Sequence, residues 1–345
     1  MTLCKMLGFL MLLIAASKSQ IHFNEEKAPC DITYSDLHCI HINKCPEALS
    51  GIRRGIFPKP CGFEGKMPLV CCNELTKPGK RSIRQCDHTY EKVKIDGEGT
   101  IKYTALVLPK QTLSEQYPHM VSLGSKNSYR KDGRSVSWMC SGSLISEKFV
   151  LTTAHCIEDP NEIINVAILG DLDSVGKPNC NSQEYRIIRK VVHPDFRAPY
   201  RYNDLAVVEL ERPVEVTKYV KPACLQTRYD IADAWWETSG YQNQRLYNMR
   251  LYESTLFNCD NYFKSKRFST FLPKGVNYTT QFCAQKSSEE TQIQEGTGGP
   301  LQTINWHYLD GWTVIGVTVI DAVKGIGLYT RLSHYIPWIE SVVWP

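Results

Sequence analysis

The chain has 345 residues, of which 42% are hydrophobic, so it is long enough for one domain of about 200 to 250 residues and a smaller one. Its 40 basic and 36 acidic residues leave a net charge of +4. This charge is too small to indicate a nucleic-acid ligand or a strongly charged membrane partner. The sequence contains no phosphate-binding loop, zinc motif or nucleic-acid module, and we expect neither a cofactor nor a bound metal.

Residues 1–19 have the pattern of a secretory signal peptide. Lys5 precedes an apolar run over residues 6–16, and the small residues Ser17 and Ser19 follow it. The run is shorter than the roughly 20 apolar residues that a membrane span requires, and no later segment is long and apolar enough. The sequence therefore predicts a secreted, extracellular protein without a membrane span.

Fourteen cysteines in a secreted chain predict a disulfide framework rather than metal sites. Loss of Cys4 with the signal peptide would leave an odd number, so at least one thiol would be free or would pair with another molecule. Residues 30–72 are too few to bury a sufficient core, and we expect three internal disulfides to support them. The six cysteines of this segment are Cys30, Cys39, Cys45, Cys61, Cys71 and Cys72.

The spacing of these six cysteines, with an adjacent pair at the end, resembles the clip domain found in front of arthropod serine proteases. We place the clip domain at residues 30–72, while a generic disulfide-knotted module is the alternative, because the sequence alone leaves the connectivity open. The resemblance implies bridges from the first cysteine to the fifth, the second to the fourth and the third to the sixth: Cys30–Cys71, Cys39–Cys61 and Cys45–Cys72.

Residues 73–105 are polar and carry several basic residues, with few large apolar side chains and no clear periodicity. They are predicted to form an exposed linker that an upstream protease could cut. Cys86 interrupts this stretch. By analogy with two-chain proteases, Cys86 is expected to pair with Cys224, which would tether the clip domain to the rest of the chain after cleavage.

The remaining stretch, residues 106–345, contains short strand-like runs separated by turn signals, for example at residues 138–145, 205–210 and 312–320. Many short strands at fairly regular spacing predict an all-β sandwich or barrel. The chain end differs, because apolar residues recur there at helical spacing and predict a terminal helix. These residues are Leu332, Tyr335, Ile336, Ile339 and Val342.

Three motifs in this region resemble those of the chymotrypsin/trypsin-like serine proteases (peptidase S1). Residues 151–156 (Leu-Thr-Thr-Ala-His-Cys) resemble the histidine motif, residues 203–206 (Asn-Asp-Leu-Ala) the aspartate motif, and residues 294–301 the nucleophile loop. The resemblance implies a trypsin-like double β-barrel with a C-terminal helix. It also implies the disulfides Cys140–Cys156 and Cys259–Cys283, and it leaves Cys180 unpaired.

The resemblance assigns the triad positions to His155, Asp204 and Thr297, and the nucleophile loop departs from the family pattern. That loop reads Gly-Asp-Ser-Gly-Gly-Pro in the family and Glu-Gly-Thr-Gly-Gly-Pro here. Thr297 retains a hydroxyl, but its β-branch is stiff and places a methyl group where the substrate would approach. Glu295 replaces the glycine whose N–H stabilises the oxyanion, and its carboxylate opposes the developing negative charge.

Activation by cleavage is predicted to fail as well. In the family a new N-terminus, Ile-Val-Gly-Gly, pairs with the aspartate before the serine, and Gly296 occupies that position here. Residues 106–109 read Leu-Val-Leu-Pro and follow Ala105 instead of a basic residue. We therefore expect an inactive homologue of a trypsin-like endopeptidase.

The specificity pocket is also altered relative to the family. Thr291 stands where a trypsin-like enzyme has aspartate, and residues 319–321 (Val-Ile-Asp) replace a Ser-Trp-Gly segment that pairs with substrate. Gly327 keeps the pocket pattern. Ile293 occupies the position of a cysteine, so the nucleophile loop is expected to lack its usual disulfide.

Two further signals lie outside the triad. Asn277 begins the sequon Asn-Tyr-Thr, which predicts an N-glycosylation site. Trp235 and Trp236 would suit a binding patch, although packing in the core or at its rim is the favoured interpretation.

The sequence thus resembles secreted, non-catalytic clip-domain serine protease homologues of insect haemolymph. Such relatives act as cofactors or regulators of protease cascades in innate immunity, in prophenoloxidase activation and melanisation or in the Toll pathway. The implied partners are cascade proteins: proteases, prophenoloxidase or serpin-regulated complexes. The alternatives are a slow, specialised endopeptidase that uses Thr297 and a module that recognises microbial surfaces through the clip groove.

Overall fold

The chain divides into two compact units, Met1–Lys77 and Pro78–Pro345. The predicted signal peptide lies outside the residues that the structure describes. Within the described residues, no helix is long and apolar enough to cross a membrane. The computed structural model describes residues 37–42, 45, 52, 58, 60–65, 67–73, 78–90, 113–126, 136–159, 163–170, 181–229, 235–242, 245–286, 297–305, 308, 311–322 and 325–345.

Strands are the main elements among the described residues of both units. The strands are β1 (Leu37–His41), β2 (Pro60–Glu64), β3 (Met67–Asn73), β4 (Met120–Lys126), β5 (Val136–Leu144), β6 (Phe149–Thr152), β7 (Val166–Gly170), β8 (Ser182–Val192), β9 (Ala206–Leu210), β10 (Cys224–Leu225), β11 (Trp236–Gln242), β12 (Arg245–Glu253), β13 (Gln281–Lys286), β14 (Pro300–Ile304), β15 (Trp312–Ile320) and β16 (Ile326–Arg331). The helices are α1 (Lys80–Thr89), α2 (Leu113–Gln116), α3 (Ala154–Glu158), α4 (Leu256–Phe263) and α5 (Leu332–Val343), with a 3₁₀ helix at Lys266–Phe268.

The first unit contains an antiparallel sheet in the order β1-β3-β2. Cys39 on β1 is bonded to Cys61 on β2, so a disulfide joins the two outer strands. Cys45 and Cys71 each take part in a disulfide as well. Cys30, which the resemblance pairs with Cys71, lies outside the described residues. Disulfides stabilise a segment that is too short to bury a large apolar core.

The second unit contains two six-stranded antiparallel barrels. The first closes in the order β4-β5-β6-β9-β8-β7. In the second, β14-β11-β12-β13-β16 follow one another, and β15 pairs with both β14 and β16 to complete the ring. Helix α5 packs Leu332, Tyr335 and Ile336 into a buried cluster with Val314 and Val317 of β15. The predicted all-β, trypsin-like double barrel with a C-terminal helix is confirmed.

Over residues 80–89, the prediction of an exposed linker is wrong. Helix α1 forms there and belongs to the second unit, with Ser82 and Cys86 buried. The backbone N–H groups of Gly79 and Ser82 donate to the Glu340 carboxylate at 3.0 and 2.8 Å, and the Ser82 hydroxyl donates to it at 2.9 Å. Because the first N–H groups of a helix have no partner within it, a carboxylate at this end stabilises α1.

A disulfide fixes the other end of α1. Cys86 is bonded to Cys224 at the start of β10. Beside it, the Tyr90 hydroxyl donates to the Pro222 carbonyl at 2.8 Å, and the Tyr308 hydroxyl donates to Asp87 at 2.8 Å. The second compact unit, Pro78–Pro345, therefore includes α1 as well as the predicted trypsin-like region.

Candidate active site

His155 and Asp204 meet because strands β6 and β9 are paired, with Thr152 opposite Ala206. His155 lies just after β6 and Asp204 just before β9. The backbone N–H of His155 donates to Asp204 Oδ1 at 2.9 Å, and His155 Nδ1 lies 2.5 Å from Oδ2. The Asp204 side chain is completely buried and that of His155 is 17% exposed. A carboxylate on Nδ1 fixes the imidazole tautomer and leaves Nε2 as the basic nitrogen.

The buried Asp204 carboxylate has a second cationic neighbour, which the sequence analysis missed. Arg201 Nε lies 3.9 Å from Asp204 Oδ2, and the Arg201 guanidinium stacks on the Phe271 ring at 5.2 Å. Burial lowers the pKa of Arg201, and the negative charge of Asp204 partly offsets this effect. The sequence does show a basic residue three positions before the aspartate. Only the fold, however, shows that its guanidinium lies beside the carboxylate.

The backbone conformation at Asn203 explains why the aspartate motif begins with asparagine. Its φ angle is +53°, a left-handed conformation that asparagine tolerates better than most residues. The Tyr335 hydroxyl of α5 donates to Asn203 Oδ1 at 2.8 Å, and the Thr330 hydroxyl donates to the Asp204 carbonyl at 3.2 Å. The C-terminal part of the chain therefore positions the carboxylate.

Thr297, at the nucleophile position, is held beside the histidine segment through its backbone. Its carbonyl accepts a hydrogen bond from the Ser141 N–H at 2.8 Å, and Cys156 Sγ lies 3.9 Å from the same oxygen. The Cys140–Cys156 disulfide lies next to both contacts. The Thr297 side chain is half-buried. Among the described residues, no hydrogen bond joins the Thr297 hydroxyl to His155.

Gly298 makes the turn after Thr297 possible. Its φ angle is +83°, and a Cβ atom there would lie 2.4 Å from Thr152 Oγ1 and 2.5 Å from the Ser141 carbonyl oxygen. Only glycine suits both constraints. The Gly298 N–H donates to the Thr318 carbonyl at 2.9 Å, and the Thr318 N–H donates to the Gly299 carbonyl at 2.9 Å. The turn therefore connects strands of both barrels.

The preceding part of the loop lies outside the described residues. This applies to four altered positions named above, Thr291, Ile293, Glu295 and Gly296, and to the expected activation segment at residues 106–109.

The segment that the resemblance assigns to substrate pairing is apolar in this chain. Val319 is buried in an apolar cluster that includes Leu328, and Ile320 is half-buried against that cluster. Asp321 follows and is half-buried. Gly327 is buried under a ring, since a Cβ atom there would lie 2.5 Å from the Tyr329 hydroxyl oxygen. Two of the three positions of this segment therefore carry branched apolar side chains that pack against the core.

Other predicted residues have roles outside the triad or lie outside the described residues. Cys259 and Cys283 form a disulfide, and Cys180 lies outside the described residues. Trp236 is buried with its ring edge-on to Phe282, whereas Trp235 is half-buried and stacks with Arg250 at 4.2 Å. Among the described residues, no group of three or more His, Cys, Asp or Glu side chains could hold a metal ion.

Comparison with known proteins identifies the class. The family model described as "Trypsin" matches residues 109–339, more than half of the chain, and the chain belongs to this family. A solved structure titled "Structure of GrC" matches with a TM-score of 0.52 at 20% identity over 66% of this chain and 95% of that one. At this identity the match shows the fold alone.

The relatives are arthropod clip-domain serine proteases, as the resemblance implied. The chain is 26% identical to "Serine protease snk" of Drosophila melanogaster, over 93% of this chain and 77% of that protein. It is 25% identical to "Phenoloxidase-activating factor 1" of Holotrichia diomphalia, over 89% and 91%. It is 31% identical to "CLIP domain-containing serine protease C9" of Anopheles gambiae, over 66% and 65%.

Proposed function

We propose that this protein is a secreted, non-catalytic member of the trypsin family that acts as a cofactor or regulator of an extracellular protease cascade. One observation carries the proposal: the His155–Asp204 pair is complete, yet the position that should use it holds Thr297. The names of the relatives, which include a phenoloxidase-activating factor, support a role in such a cascade.

The chemistry of acyl transfer needs a base, an unhindered nucleophile and oxyanion donors. The His155–Asp204 pair could supply the base. Thr297 offers a branched alcohol, and Glu295 stands where the oxyanion donor needs glycine. Loss of one such donor typically costs about 10²- to 10³-fold in rate. These changes favour binding of other proteins over hydrolysis.

A slow endopeptidase is the second candidate, and the intact His155–Asp204 pair favours it. The two candidates separate in a hydrolysis assay with Arg-, Lys-, Phe- and Ala-type peptide substrates, before and after limited trypsin treatment. We expect no detectable turnover. A turnover number within about a hundredfold of ordinary trypsin-like enzymes, abolished by His155→Ala, would instead establish the endopeptidase.

The cofactor role is tested by adding the purified protein to a reconstituted cascade of prophenoloxidase and its activating protease. We expect a change in the activation rate that His155→Ala and Thr297→Ala variants preserve, because binding surfaces and not the triad would carry the effect. An effect that disappears in both variants would show that catalysis is required. A further arm with isolated microbial cell-wall material tests the recognition alternative.

We also propose N-glycosylation at Asn277, in keeping with secretion. Asn277 is exposed, and its side-chain carbonyl accepts a hydrogen bond from the Thr279 N–H at 3.2 Å in a local turn. A mass decrease on treatment with a peptide N-glycosidase, absent from Asn277→Gln, is the expected result. An unmodified peptide spanning Asn277 in the secreted protein would contradict the proposal.

A further inference from the structure

The segment after α4 carries several positive charges and no negative one. Residues 264–280 contain four basic residues and no aspartate or glutamate. All four are exposed. We call them the basic shoulder: Lys264, Lys266, Arg267 and Lys274.

Most of this charge is uncompensated. In the described part of the chain, Lys264 pairs with Asp260 at 2.8 Å, whereas Lys266, Arg267 and Lys274 have no carboxylate within salt-bridge distance. Elsewhere on the same unit, five other ion pairs join surface cations to glutamates. The pairs are Arg186–Glu211, Arg189–Glu209, Lys148–Glu209, Lys126–Glu184 and Lys218–Glu115. The shoulder therefore places three cations without a carboxylate partner, among the described residues, within nine positions of the chain.

The backbone of the shoulder is held in place by core packing and hydrogen bonds. Phe268 and Leu272 are buried in the same cluster as the Cys259–Cys283 disulfide. The Lys274 N–H donates to the Tyr202 hydroxyl at 3.0 Å, and that hydroxyl donates to the Gly275 carbonyl at 2.8 Å. A surface whose backbone is already ordered loses little conformational entropy when a partner binds.

The shoulder also lies beside the triad positions and among aromatic rings. The Arg201 N–H donates to the Phe271 carbonyl at 3.0 Å, which joins this segment to the residue next to the Asp204 carboxylate. Phe271 and Tyr262 are half-buried, and Arg267 stacks over Phe268 at 5.2 Å. Arginine and aromatic side chains are enriched where proteins bind one another.

We propose that the basic shoulder binds an acidic polypeptide segment of a cascade protein. This inference rests on the proposed function, in which the protein acts by binding other proteins. Charge complementarity assigns an acidic partner, and the interleaved rings favour a polypeptide over a sulfated polysaccharide, for which cations alone would suffice. Such contacts mainly raise the association rate and weaken as salt screens them.

The test compares two variants that each remove three positive charges. One is Lys266→Gln/Arg267→Gln/Lys274→Gln in the shoulder, and the matched control is Arg186→Gln/Arg189→Gln/Lys218→Gln, whose cations are paired. The probe is a fluorescent oligo-glutamate peptide, read by anisotropy at low and physiological salt. We expect the shoulder variant to bind about tenfold more weakly or worse and the control to change by less than about twofold. Thermal melts confirm that both variants are folded.

Three results would overturn the inference. Equal losses in both variants would mean that only net charge matters. Binding of heparin, without binding of the peptide, would assign the shoulder to a polysaccharide. A full cofactor effect of the shoulder variant in the reconstituted cascade would remove the shoulder from the docking surface while leaving the proposed function intact. Failure of the proposed function would give a different result: the wild-type protein itself would have no effect in that cascade.

Discussion

The two sides of the triad region are built differently. Asp204 is completely buried, accepts two hydrogen bonds from His155 and lies close to Arg201. Thr297 is fixed through its carbonyl, and its side chain is half-buried with no bond to the histidine among the described residues. The first side therefore stabilises the fold as well as offering a base. The hydroxyl at position 297 has no comparable structural role, so the nucleophile can change at little cost in stability.

The largest expected effect tests this difference directly. Asp204→Ala should lower the free energy of unfolding by about 3 to 5 kcal/mol, because it leaves a buried cation and donors without their partner. Thr297→Ala should change it by no more than about 0.5 kcal/mol. Urea unfolding of both variants measures this. Similar losses in the two variants would contradict the contrast between the two sides.

The second prediction concerns His119, a buried polar residue at the contact between the two barrels. His119, just before β4, is fully buried with Nε2 2.5 Å from Gln302 Oε1 on β14, and burial lowers its pKa to about 4. The unfolded chain takes up a proton near pH 6.5, before the folded protein does. The contribution of His119 to the free energy of unfolding is therefore fully present above about pH 6.5. The free energy of unfolding should fall by about 3 kcal/mol as the pH drops toward 4.

The matched variant for this pH dependence is His119→Gln, which has no titrating ring. Its unfolding free energy should vary less between pH 6.5 and 4 than that of the wild type, measured in urea at several pH values. Curves with the same pH dependence would show that His119 is not the group responsible.

A third prediction concerns helix α1. Glu340→Ala should cost about 1 to 3 kcal/mol, because two N–H groups and the Ser82 hydroxyl lose their acceptor. It should also accelerate tryptic cleavage after Lys80 and Arg81. Ser82→Ala, which removes one of the three bonds, is expected to have a smaller effect. If the cleavage rates stay unchanged in Glu340→Ala, the carboxylate does not hold the helix.

The smallest expected effect is on activity. Thr297→Ser alone should leave hydrolysis undetectable, because Glu295 and Gly296 still disable the oxyanion hole and the activation switch. Rescue should require Glu295→Gly and Gly296→Asp as well, together with a cleavable Ile-Val-Gly-Gly start. Peptide hydrolysis by the single and combined variants measures this. Substantial activity of Thr297→Ser would mean that the hydroxyl alone limits the chemistry.

Sequence reasoning reached the double barrel because short strands, turn signals and three motifs all pointed to it. It missed α1, since the helix depends on Glu340, which lies 258 positions after Ser82. It also missed Arg201, whose contact with Asp204 depends on a turn that no local pattern reveals. Both omissions concern buried polar contacts, which the fold creates and hydrophobic periodicity does not report.

The most direct test of the central claim is exposure of the purified protein to an active-site fluorophosphonate, followed by intact-mass measurement. The account predicts no adduct on the wild type, before or after limited trypsin treatment, under conditions that label trypsin completely. A one-to-one adduct on Thr297 that His155→Ala abolishes would contradict it, because it would show that the base, the hydroxyl and the oxyanion site still work together.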